Sequence, residues 1–125
     1  MTYLEAEKNL VLFLAGALDL APDREIFAGT PPDGVVEAMT VDLKEGYPAS
    51  INRTNSFTVH IGGKYFSRQI CRQYAFSVTS LLPAYEKNSL VSVILDEKVP
   101  LKFYEEEKND GKIHCFDLVL TVTFA

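Results

Sequence analysis

FTVHIGGKYFSRQICRQYAFSVTSLL, residues Phe57–Leu82, changes its periodicity part-way along. Phe57 to Ile61 are residues that favour strand. Gly62-Gly63 predicts a sharp turn, because glycine carries no Cβ. Beyond it Phe66, Ile70, Tyr74, Val78 and Leu81 recur every three or four residues, with Cys71, Ala75 and Leu82 beside them. A period near two gives way to one near 3.6, as when a strand passes into a helix. Pro83 stops that helix, since it lacks the N–H the next turn needs. The stretch reads as a strand, a turn and a helix that lays one apolar face on a sheet.

The flanking residues supply that sheet. Upstream, Thr2 to Leu18 predicts a helix with capping-box spacing between Thr2 and Glu5. Tyr3, Ala6, Leu10, Phe13, Leu14 and Ala17 form its stripe, widened by Val11 and Leu18. So few polar residues follow Asn9 that its own sheet or a neighbouring subunit must cover much of it. Ile26 to Ala28, between proline and glycine breaks, predicts a short edge strand. Val35 to Leu43 predicts a clearer one, with Val35, Met39, Val41 and Leu43 on one face. Lys44 to Asn55 has no period; with Tyr47 in it, it reads as a wide connection or an interaction loop.

Downstream, Leu90–Leu95 and Leu101–Glu105 predict strands. A charged hairpin tip follows, with Asp110-Gly111 as its turn signal. Ile113 to Phe124 alternates over its whole length, and so apolar a strand belongs in the middle of a sheet or against another chain. The expected fold is α+β: a mainly antiparallel sheet of about five strands with two helices packed on it, in one domain spanning residues 1–125.

Composition narrows the function. Hydrophobic residues make up 47% of the chain, enough for a real core. The formal net charge of −5 argues against a nucleic-acid binder with a broadly basic surface and offers nothing to an anionic membrane. Cys71 and Cys115 lack metal-ligand spacing and read as reduced core thiols. The apolar run Leu10–Leu18 follows Glu5, Glu7 and Lys8, unlike a signal peptide, and is too short to span a bilayer. The expectation is an intracellular, soluble site of synthesis.

No arrangement in the sequence carries chemistry. His60 and His114 sit in predicted strands with no carboxylate at a useful offset. Gly62-Gly63 with Lys64 lacks the full phosphate-binding fingerprint. Glu105 to Glu107, with lysines close by, reads as a solvated tip. Arg68 and Arg72 are an i, i+4 pair on the helix face away from Ile70 and Tyr74. They repel weakly unless acidic groups meet them, so they form either a solvated face or an intersubunit salt-bridge stripe.

The order of elements, with VVEAMTVDL and FTVHIGGKYFSRQICRQYAFSVTSLLP at its centre, resembles the phage minor capsid and tail terminator (head–tail joining) proteins. In that family a strand of the type VQVLVRG leads into an aliphatic helix. Phe57–Gly63 and Tyr65–Leu82 correspond to the two. The resemblance implies a structural protein without enzymatic activity, catalytic residues, metal or cofactor. Its subunits would form a ring, commonly a hexamer, and meet other tail or neck proteins, in the cytoplasm during assembly and then in the virion. It would bind neither membrane nor specific nucleic acid. The residues to which it directs the subunit interface are Tyr47, Arg68, Arg72 and Phe13. The reading from a different class is a small intracellular ligand-binding or regulatory α+β domain, and a third is an enzyme whose site the sequence does not reveal.

Overall fold

The structure is a computed structural model and describes residues 1–46, 55–108 and 111–125. Helix α1 spans Tyr3–Leu18. Thr2 caps it, its Oγ1 accepting from the Glu5 N–H at 3.1 Å. It ends at Asp19, whose left-handed backbone turns its N–H back to the Ala15 carbonyl.

The strands are β1 (Ile26–Ala28), β2 (Ala38–Gly46) and β3 (Asn55–Tyr65). Helix α2 (Arg68–Ser80) follows, then β4 (Ala84–Lys87), β5 (Leu90–Leu95), β6 (Lys102–Lys108) and β7 (Gly111–Phe124). Among the described residues they build one seven-stranded sheet in the order β1-β2-β3-β7-β5-β4, with β6 also paired to β7. The β1–β2 pair is parallel and the rest are antiparallel. The α+β class and mainly antiparallel sheet are as expected, but seven strands replace about five. Ala84–Lys87 has no apolar alternation, and its pairing with β5 makes it a strand.

β7 is the spine. One edge pairs with β3 along its length, from Asn55 opposite Phe124 to Tyr65 opposite His114. The other edge is shared: β5 takes Leu120–Phe124 and β6 takes residues 111–117. Between them the Asp96 N–H donates to the Val119 carbonyl at 2.9 Å. The apolar C-terminal strand is thus held inside the sheet.

Inward-facing Met39, Val41, Phe57, Val59, Ile61, Leu118, Leu120, Val122 and Phe124 join residues of both helices in one core. The start of α1 is pinned by rings. Tyr3 meets Phe57 and Phe124 edge-on at 5.8 and 5.1 Å, and Phe57 meets Phe124 at 5.6 Å. Such pairs contribute roughly 1 kcal/mol each beyond their burial.

Two expectations are corrected here. Gly62-Gly63 is not a turn; β3 runs straight through it. A Cβ at Gly63 would run into the Phe116 ring and lie 2.8 Å from Tyr65 Cε2, so glycine provides the space that Phe116 fills. The strand expected at Val35–Leu43 begins three residues later. Val35 and Val36 are exposed, and the exposed Glu37 turns back to accept from the Phe66 N–H at 2.8 Å.

Candidate functional site

Helix α2 starts where Ser67 Oγ accepts from the Ile70 N–H at 3.2 Å, not at Tyr65 or Phe66. Starting there sets which side faces the sheet. Cys71, Ala75 and Val78 are buried, and all three are small enough to let the helix lie close to β3 and β7. Tyr74, Leu81 and Leu82 pack at the margin of the core. Phe66 and Ile70, expected on the buried stripe, are 49% and 42% exposed, and Phe76 is 52% exposed. The apolar pattern of this helix therefore divides between the core and the surface.

The arginines lie along the flank of α2 that faces β6. Arg68 is exposed. The Arg72 guanidinium sits over the Phe103 ring, 4.2 Å from its centroid, and Phe76 approaches the same ring at 5.8 Å. Stacking of this kind is worth about 1 kcal/mol. The buried Arg72 Nε has no hydrogen-bond partner among the described residues. Among the described residues neither arginine makes an ion pair. Both border a cleft of about 310 Å³ against the β6–β7 hairpin, with Glu105 and His114 on the far wall. Glu105 is already engaged, at 3.3 Å from Lys112 Nζ and 3.6 Å from His114 Nδ1.

A second apolar surface lies between α1 and β1. Leu4 and Leu12 are 76% and 40% exposed, and with Val11, Pro22 and Ala28 they border a groove of about 450 Å³. Glu5, Glu7, Asp23 and Lys8 stand on its rim.

On the sheet face away from the helices, residues 30–36 fold over to wall a polar cleft of about 490 Å³. Thr40, His60, Gly62 and Asp117 line it together. His60 Nδ1 is 3.8 Å from Asp117 Oδ1, Lys44 is 2.7 Å from Asp42, and Lys64 is 3.1 Å from Glu106. Its hydrogen bond to Glu106 holds the Lys64 ammonium above its usual pKa, and burial pushes the Tyr104 phenol up. The charges are matched in pairs, leaving donors and acceptors of both signs but no concentration of either. Register across β3 and β7 brings His60 near Asp117, and an offset in sequence does not express that.

No family model matches the chain, and no curated protein matches it. One of the similar solved structures covers 95% of this chain and 91% of its own at 14% sequence identity, with a TM-score of 0.48. Its name states no activity, ligand or assembly.

Of the four residues assigned to an interface from sequence, Arg68 and Arg72 share the α2 flank. Phe13 belongs to the core at 8% exposure. Tyr47 lies outside the described residues. The two histidines border different clefts. Both cysteines are buried, and burial raises both thiols above their usual range. Among the described residues no three His, Cys, Asp or Glu side chains are grouped to hold a metal ion, and no helix is long and apolar enough to cross a membrane.

Proposed function

We propose that this chain is a structural subunit that works by self-association, of the tail-terminator or head–tail-connector kind its order of elements resembles. The observation that carries this reading is the outward face of α2. Phe76 stands exposed beside Arg72, and Phe66 and Ile70 are exposed at the start of the helix; among the described residues neither Arg68 nor Arg72 makes an ion pair. Exposed apolar groups collected on one surface mark a site of contact with another protein. A subunit that carries two different contact surfaces closes into a ring when the rotation between copies allows it. The work of such a subunit is geometric and calls for no cofactor. Its further partners are tail and neck proteins meeting the two faces of the ring.

Light scattering coupled to size exclusion tests the reading. A ring-sized mass that falls on dilution supports it. A single-subunit mass at every concentration and ionic strength overturns it.

The polar cleft on the open face of the sheet favours a second reading, a small ligand-binding domain. There the ligand would be a small polar molecule bound between residues 30–36 and the His60–Asp117 pair. A screen of polar metabolites by thermal shift separates the two. A stabilising ligand whose effect is lost in His60→Ala, with a monomeric mass, favours the second.

A further inference from the structure

We propose that the arginine flank of α2 in one copy docks in the α1–β1 groove of the next. This inference rests on the self-association reading and names its contact.

The two surfaces complement each other in charge. Helix α2, RQICRQYAFSVTS, carries two arginines and no acid, in a chain whose net charge is −5. The rim of the groove carries Glu5, Glu7 and Asp23 against the single Lys8. They also complement each other in apolar content. Phe76 projects from one surface beside Arg72, and Leu4 and Leu12 frame an open recess on the other. Arg72 supplies the third observation. Phe103 already holds its guanidinium in place and no described residue forms an ion pair with it, so a carboxylate brought by a neighbouring molecule can pair with it.

The two surfaces occupy different parts of the fold. The groove is built on β1, the outermost strand at one end of the sheet order. The arginine flank lies beside β6, across β2, β3 and β7 from it. One molecule therefore offers both halves of the contact at once, and copies join head to tail. A contact of this type propagates until it closes.

The test uses two full-length variants. Arg68→Glu with Arg72→Glu reverses the flank, and Glu5→Arg with Glu7→Arg reverses the rim. Each alone faces like charge with like, so each is expected to run at the subunit mass, with self-association weakened by at least roughly tenfold. Mixed in equal amounts, they present opposite charges at every contact between unlike copies, and assembly returns. Arg68→Glu alone leaves Arg72 on Phe103 and is the milder control, expected to weaken assembly without altering the circular dichroism spectrum.

Variants that stay assembled when alone overturn the proposal, as does a mixture of two folded, monomeric variants that fails to assemble. In both cases a wild-type oligomer leaves self-association standing and refutes only this contact. A wild-type chain that is monomeric throughout refutes both.

Discussion

The two helices lie on the same sheet and use it differently. Helix α1 buries Ala6, Leu10, Val11, Phe13, Leu14 and Ala15, a broad stripe that takes it into the core. Helix α2 buries only Cys71, Ala75 and Val78 and keeps larger apolar side chains outside. A helix held by small residues contributes less to stability and leaves more surface for a partner. The difference separates a helix that holds the subunit together from one that presents it.

The sharpest way to break this contrast is Leu10→Ala. Leu10 is fully buried, so its loss is expected to cost about 3 kcal/mol in urea unfolding. Ala75→Leu attacks the close approach of α2 from the other direction and should cost about 2 kcal/mol through overpacking. If Ala75→Leu is neutral, α2 does not sit as near the sheet as described. The caps come next. Thr2→Ala and Ser67→Ala each remove a side-chain acceptor at a helix start, at about 1 kcal/mol apiece, and near-equal losses would show that both helices depend on their first turns. Ile70→Ser with Phe76→Ser should change subunit stability by no more than about 0.5 kcal/mol while reducing self-association. A loss as large as that of Leu10→Ala would mean that these side chains are core after all.

The thiols give the smallest effect. Burial raises Cys71 and Cys115 above the ordinary value of 9.0. Below about pH 9 both states keep their protons and the thiols leave stability unchanged. Above it the unfolded chain ionises while the folded one does not, so stability declines as pH rises. Cys71→Ser with Cys115→Ser should flatten that decline in denaturation series between neutral and alkaline pH. Native thiols should also react with iodoacetamide far more slowly than thiols in urea.

Much of the fold could be read from residue pattern, for reasons that differ by element. Thr2 and Glu5 fixed the start of α1 because capping is local, and Leu90–Leu95 stood out because its apolar run is short and bounded. The long alternation before Phe124 marked β7 as interior. What could not be read was decided across the sheet. Gly62-Gly63 looked like a turn because the ring that needs the space, Phe116, lies on another strand. The buried side of α2 depends on where Ser67 starts it, and the apolar spacing there suits two different faces. Ala84–Lys87 became a strand only through β5. Arg68 and Arg72 could be singled out from sequence, but the Phe103 ring beneath Arg72 and the α1–β1 groove could not. The pairing of His60 with Asp117 likewise arises from register alone.

Strand β7 also sets the order in which this protein can acquire its shape. β3, β5 and β6 all precede it, and each depends on it for a ladder. While the chain emerges from the ribosome, β3 can pair with β2 and β5 with β4, but these two ladders have nothing to join them until Val122 and Phe124 arrive. Contacts so distant along the chain make for slow closure. Until then the apolar faces of both helices stay only partly covered by β1, β2 and β3, and a chaperone holding the nascent polypeptide would have the most to shield just before β7 is delivered.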